Sequence, residues 1–566
     1  VRGQFVSGLV PRCLVVGEER PQFSDNFWQA AEGTEIEFLY FHAPWRGTAR
    51  TAAMLKTMKS TCSRSLLRLT ACCAGLLVAS TPAQMVEKVA DLNFVAVDGV
   101  GIGGYEPLGR LTQAGTNLWF TTDKGGTFDA GTVSRFDLLT REVVEVASFD
   151  NNTGRGSESH LLVIGDAGYF TTKSGGTGNV GTLAKIDLLS GAITVLYDFP
   201  ANNAATRADG SQTGATPRAS LTRIGDELWT TTSLGGISNR GSIVRHSLTN
   251  GLTSLVGHLD GPELGGQAFG GLTPAGSNEW YFTTFSGGNT FQTIGSYAIT
   301  LPDGAELWFT NNLPLGAGTL GRLTFDEAGE PQLTRLVDLP AGYTQFPGIE
   351  PTFVGTNSLY FGTTGPNPAP GAIIRYDLDT GTWTNLFSFS TNTANALAHG
   401  TRPGYSAFVE WLGELYFLTR QGGVSNLGVV AKFNLASNTV IKLADFEGAG
   451  PDSLGRATAI FDNSGLIVEE SGRPYLYFAL PSGGANNRGS IIRVALPAPP
   501  MQLALEPAGP GELTLTWTGG YPPFTVQTRQ SLGEGDWEAF AVDVAGRAVT
   551  LPTTNLHRFF RVEATP

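Results

Sequence analysis

Six side chains of the kinds that hold or turn over a polar ligand fall in long segments rich in Gly, Asn and Thr. Arg155 and His160 lie in DNNTGRGSESH, Arg207 and Asp209 in PANNAATRADGSQTGATPR, and His399 and Arg402 in STNTANALAHGTRPG. Arginine matches carboxylate or phosphate through two parallel N–H donors, and an Asp paired with a His is an acid and base working near neutral pH. Asp209 and His399 are therefore the pair that an extracellular hydrolase or lyase would use. The other histidines beyond residue 83, His246, His258 and His557, stand at no zinc-ligand spacing. No G-x-S-x-G elbow, phosphate loop or dinucleotide fingerprint occurs in its required setting; GVGIGGYEPLG at 99–109 is glycine-rich but lies between strands with no helix after it. The sequence predicts no metal and no cofactor, and it favours a binding protein over an enzyme.

Those segments join copies of an internal repeat. LWTTTSLGGISNRGSIVRHSL (228–248) returns as LYFLTRQGGVSNLGVVAKFNL (415–435) and LYFALPSGGANNRGSIIRVAL (476–496). Each unit has an apolar strand and then an LWFTT-type strand, recurring around Trp119, Tyr169, Trp229, Tyr281, Tyr360, Tyr416 and Tyr477. A GG turn closed by a further glycine follows, then a GTVSRFDL-type strand, a short turn and a last strand such as ITVLYDF. Asp129, Asn179, Asn239, Asn426 and Asn487 share one slot in the GG turns. Asn and Asp tolerate the left-handed conformation and bond their own backbone, so this is turn chemistry rather than a ligand set. The Trp and Tyr stripe is read as core packing rather than a sugar platform.

Four short strands at a period near 50–60 residues are the pattern of a β-propeller blade. The last unit stops at Leu496 without its fourth strand, and VEKVADLNF (86–94) matches the missing piece; compare VIKLADF (440–446) and VVEVASF (143–149). A ring fastened by its N-terminal strand hides both edges. The expectation is an all-β, seven-bladed propeller over 84–496. Eight blades is the alternative, because unit four holds two aromatic strands, EWYFTT (279–284) and ELWFTN (306–311). A Pro-rich linker, 497–500, leads to alternating strands over 501–566 that predict a small β-sandwich.

The phrase GATPRASLTRIGDELWTTTSLGGISNRGSIVRHSL (214–248) resembles the Gloeo/Verruco (GloVer) tandem repeat, over about 86–496. Unit five departs from it, with GPNPAPG (365–371) in place of the GG turn, and the ending RFFRVEATP does not match the family's C-terminal sorting tail. The resemblance implies an exported or surface-located bacterial protein and no established activity. Trp517, PFTVQ and FFRV are similar to a shortened fibronectin type III module.

Residues 1–57 carry none of the repeat and are read as a non-native upstream extension, with Met54 or Met58 as the start. From Met58 to Ala83 a basic segment (Lys59, Arg64, Arg68), an apolar run (69–79) and Thr81-Pro82-Ala83 read as a signal peptide. All four cysteines precede that point. The remainder, with 28 Lys/Arg against 44 Asp/Glu, is acidic, which speaks against a nucleic-acid partner, and it has no run long enough to span a membrane. The sequence thus predicts an exported, extracellular or cell-surface repeat protein that presents its loop-rich face to a glycan, a peptide or a surface partner. The alternatives are the hydrolase or lyase and a structural surface or matrix protein.

Overall fold

The computed structural model describes residues 13–16, 38–39 and 86–564 apart from 98–99, 202–212, 238, 277, 289–296, 301–305, 310–315, 340–346, 348, 366–369, 458–463, 510–511, 531–535 and 553–557. The signal peptide expected at 58–83 lies outside the described residues, as does nearly all of the upstream extension. The chain divides into two compact units, one of residues 86–468 with 475–495, the other of residues 1–85, 469–474 and 496–566. The protein is almost all β, with one short α-helix, Thr393–His399, among the described residues. None of its described helices is long and apolar enough to cross a membrane.

The repeat becomes seven four-stranded antiparallel sheets among the described residues, here I to VII. Sheet I is Thr112–Ala114, Asn117–Thr121, Thr132–Asp137 and Val143–Ser148, hydrogen-bonded in that order. Sheets II to VI repeat it, beginning at Leu162, Thr222, Thr273, Thr352 and Val409. Sheet VII takes three strands from the end of the repeat, Leu466–Glu470, Arg473–Leu480 and Ser490–Ala495, and its fourth from Val86–Asp91. There Val86 pairs with Val494 and Asp91 with Ser490. The second aromatic strand of unit four, Glu306–Phe309, pairs with Tyr297–Thr300 in a separate two-stranded ribbon between the second and third strands of sheet IV.

The repeated residues have local reasons. Phe120, Phe170, Trp229, Phe282, Tyr416 and Tyr477 are buried, as a strand covered on both faces requires. The second threonine of TT reaches across the turn: Thr122 Oγ1 lies 2.9 Å from Thr132 Oγ1 and accepts the Thr132 N–H at 2.9 Å. Thr172 with Thr182, Thr232 with Ser242 and Thr284 with Thr319 repeat the contact at 2.8–3.0 Å. The glycine of GATP, Gly214, sits at φ 86° where a Cβ would meet Thr232 Oγ1 at 2.0 Å, so no other residue fits.

Neighbouring sheets are joined by a backbone staple. Glu106, Gly156, Thr216, Gln267 and Arg402 all hold positive φ. Each donates its N–H to the preceding sheet's turn, at the carbonyls of Arg488, Ala130, Val180, Arg240 and Pro370, and each accepts the N–H of the residue after the threonines of its own sheet. The Glu106 staple runs from sheet VII to sheet I. A core of Leu92, Val468, Tyr477 and Ile491 with Leu111, Leu118, Phe120 and Phe136 joins the same two sheets.

In the other unit, Gln502–Gly509, Glu512–Thr518 and Ala548–Pro552 form one sheet. Phe524–Arg529, Glu538–Val544 and Arg558–Ala564 form a second, extended by the short strands Cys13–Val16 and Phe38–Leu39. Leu515, Trp517 and Leu551 of the first pack with Phe524, Val526, Phe560 and Val562 of the second.

Leu92, buried just after the N-terminal strand, donates its N–H to the Gly489 carbonyl at 2.9 Å, as Leu259 does to Gly241 at 3.0 Å. Leu92→Ala is expected to cost about 2–5 kcal/mol in urea unfolding, matching Leu259→Ala. A loss confined to Leu259→Ala would mean that the N-terminal strand is peripheral.

Candidate functional site

In each sheet the second strand ends, and the first begins, at the same edge, because the two are antiparallel. The GG turns sit at that edge too. They are closed from within: the Gly125, Gly175, Gly235, Gly422 and Gly483 N–H groups donate to the Asp129, Asn179, Asn239, Asn426 and Asn487 side chains at 2.9–3.2 Å. The slot residues take φ of 48–54°, and one side-chain oxygen of each is occupied as an acceptor. At the opposite edge the turns are tight. Asp137 accepts the N–H of Leu139 and Thr140, and Asp187 those of Leu189 and Ser190. These bonds hold both carboxyls below the usual range. The long connections therefore all belong to the edge with the GG turns.

Of the six sequence candidates, Arg207 and Asp209 lie outside the described residues. Arg155 reaches Asn151 Oδ1 at 3.1 Å and the Asp129 carbonyl at 3.4 Å, bracing one GG turn. His160 is buried rather than presented to solvent; its backbone N–H donates to Ser220 Oγ at 3.2 Å and its ring Nε2 lies 3.4 Å from Arg110 Nη2. His399 ends the helix capped by Asn392, and its ring meets Phe387 edge-on at 5.4 Å; burial lowers its pKa. Arg402 is a staple residue at φ 61°. Arg155 and His160 share one connection, and His399 and Arg402 another. Among the described residues no three His, Cys, Asp or Glu side chains form a metal-binding group.

The same edge carries a network that the sequence reading missed. Asp123 follows the second strand of sheet I, Lys173 that of sheet II, and Glu158 and Arg218 precede the first strands of sheets II and III. Lys173 Nζ lies 2.5 Å from Asp123 Oδ1 and 3.0 Å from Glu158 Oε1. Arg218 Nη1 lies 3.5 Å from Glu158 Oε2. The Arg218 guanidinium then faces Phe269 at 6.0 Å, and Phe269 meets Phe285 edge-on at 5.4 Å. The contacts run unbroken from sheet I to sheet IV. Glu158 is 1% exposed, while Lys173 and Arg218 keep 26% and 29% of their side-chain surface. Burial pushes the Glu158 carboxyl up, against the pull of Lys173 and Arg218. Burial also acts to lower Lys173, but Glu158 and Asp123 outweigh it and raise its pKa. A signal for this network was in the repeat: after the threonines the phrase varies, TTD, TTK, TTS, TTF and LTR, while its neighbours hold.

No family profile matches the sequence, and comparison with curated proteins finds no match. Among solved structures the chain is similar to a Mycobacterium tuberculosis puromycin-hydrolyzing peptidase at 13% identity and TM-score 0.39, covering 76% of this chain and 58% of that one. It is similar to the polysaccharide lyase Uly1 at 11% identity and TM-score 0.39, covering 73% and 99%. It is similar to TolB from Acinetobacter baumannii at 10% and 0.27, covering 69% and 79%. The chain thus spans less than two thirds of the peptidase, and at these scores the likeness assigns neither activity nor substrate.

Glu158→Ala leaves Arg218 without its acid and Lys173 with Asp123 alone. It is expected to cost about 3 kcal/mol in urea unfolding, whereas Arg223→Ala, at the exposed pair with Asp226, is expected to cost little. A second outcome concerns His246, buried where the other sheets place Phe136, Ile186, Leu323, Tyr376, Phe433 and Val494. Burial lowers its pKa, so the unfolded chain takes up the proton first as pH falls. The stability it supports is whole above the ordinary histidine value of about 6.5 and drains below it. His246→Phe is expected to flatten the stability slope between about pH 7 and pH 5.

Proposed function

We propose that the repeat unit is a closed seven-bladed β-propeller of an exported protein that binds a glycan, a peptide or a surface partner through its loop-rich edge, without catalysis. The C-terminal unit then acts as a spacer or docking module. Ring closure is supported by the pairing of Val86–Asp91 with Ser490–Ala495 and by the Glu106 staple to Arg488. Asp91 adds to this: its Oδ1 accepts the Ala485 N–H at 2.8 Å, as Asp198 accepts from Thr177 and Asp445 from Val424. The ribbon at Tyr297–Thr300 and Glu306–Phe309 is better read as an insertion than as an eighth blade.

The observation that carries the binding role is the asymmetry of the two edges. One is sealed by short turns whose aspartates are spent on backbone N–H groups. The other gathers every long connection, Arg155, Arg402 and the Asp123-to-Phe285 network, on rigid strands. Loops held by a rigid scaffold are where ligands are met. Arg207 and Asp209 belong to the longest of these connections in sequence. One observation favours the hydrolase or lyase reading, the burial-raised Glu158 carboxyl near Asp123, since such an acid can donate a proton.

The purified protein is expected to bind a defined subset of an oligosaccharide and peptide array, and deletion of 202–212 to weaken that binding at least tenfold. Release of new reducing ends or unsaturated sugars from a bound glycan would replace the binding role with an enzyme. Self-assembly with no ligand on either array would replace it with a structural one.

A further inference from the structure

We propose that the network from Asp123 to Phe285 is the ligand site, and that its ligand is a neutral saccharide. This rests on the binding role above and narrows it from three partner classes to one.

Junctions elsewhere in the repeat are made without such a network. The position after the threonines is Asp123 and Lys173 in sheets I and II but Ser233, Thr364 and Pro481 in sheets III, V and VII. The position of Glu158 and Arg218 is Gly404 before sheet VI. The staples at Thr216, Gln267 and Arg402 join their sheets there through main-chain bonds alike. Two acids, two bases and two aromatic rings are thus concentrated at one side of the edge, beyond what packing asks for.

Their chemistry specifies the ligand. Glu158 Oε2 is buried and accepts no hydrogen bond, with Arg218 Nη1 standing 3.5 Å away. A buried carboxylate oxygen without a donor is costly; Glu158 itself is enclosed, and the groups a ligand can reach are the part-exposed Lys173 and Arg218 that it holds in place. Lys173 and Arg218 only donate and Asp123 only accepts, so a group that does both satisfies the set. Hydroxyls do both. Phe269 and Phe285, half-buried beside Arg218, offer an apolar surface to the C–H face of a sugar ring. The two carboxylates balance the two cations, so the site selects no net charge, and the acidic chain around it opposes an anion. Saccharide sites of this kind combine a few fixed polar groups with an aromatic wall.

The test is calorimetric titration of the purified protein with cellohexaose, mannohexaose, chitohexaose and hexagalacturonate, with Phe269→Ala, Phe285→Ala, Glu158→Gln and the 202–212 deletion run in parallel. The expected result is binding of at least one neutral hexaose, weakened tenfold or more by each Phe variant at unchanged Tm, and weakened by Glu158→Gln. The half-buried Phe positions keep the test decisive if Glu158→Gln unfolds. Neutral-hexaose binding that persists within twofold in both Phe variants but is lost on deleting 202–212 overturns this site while leaving the binding role intact. Preference for hexagalacturonate, or binding of peptides with no hexaose bound, overturns the ligand class. Absence of any hexaose, glycan or peptide binding overturns both readings.

Discussion

The arrangement of the repeat unit depends on a residue held at positive φ at five of the junctions between sheets. Its N–H points back to the previous sheet and its carbonyl forward into its own, so a single residue satisfies two polar groups and sets the distance between sheets. The side chain is almost irrelevant to this: Glu106, Gly156, Thr216, Gln267 and Arg402 all serve. What the position requires is tolerance of a strained backbone, worth of order 1–3 kcal/mol in a residue other than glycine. That strain is offset by the two main-chain hydrogen bonds that each such residue makes.

The staple leaves side chains free, and the threonine contact does the complementary work within a sheet. Together they explain why the chain repeats a phrase with no reactive residue in it. The constant letters of the phrase are spent on closing turns and joining sheets, and the position after the threonines, which changes from copy to copy, lies at the edge with the long connections. Stability needs no covalent help: large apolar side chains such as Trp229, Tyr281, Tyr416 and Tyr477 are fully enclosed, each contributing roughly 1.5–3 kcal/mol from burial.

Much of the fold was legible because strand period and turn chemistry are local. LWFTT followed by GG and Asn dictates a strand and its turn without reference to the rest of the molecule, and the split unit at the termini could be read by matching VEKVADLNF to VIKLADF. The edge with the long connections was less legible. Arg155 and His160 looked available because their segment is polar, yet one braces a turn and the other is buried against Ser220. Nothing in the local sequence marks Glu158, two residues from His160. Only the meeting of three sheets buries it beside Lys173 and Arg218, and no local pattern encodes that meeting.

The ribbon of Tyr297–Thr300 and Glu306–Phe309 shows how permissive the design is. Thr284 and Thr319 are 35 positions apart, yet their hydroxyls touch at 2.8 Å as do those of Thr122 and Thr132, only 10 positions apart. The hydroxyl clasp pinches off whatever polypeptide lies beyond it, so extra chain can be grafted at that point without shifting the register of the strands below. Evolution, or an engineer, can thus hang new cargo from such a clasp and leave the four strands of the sheet unaltered.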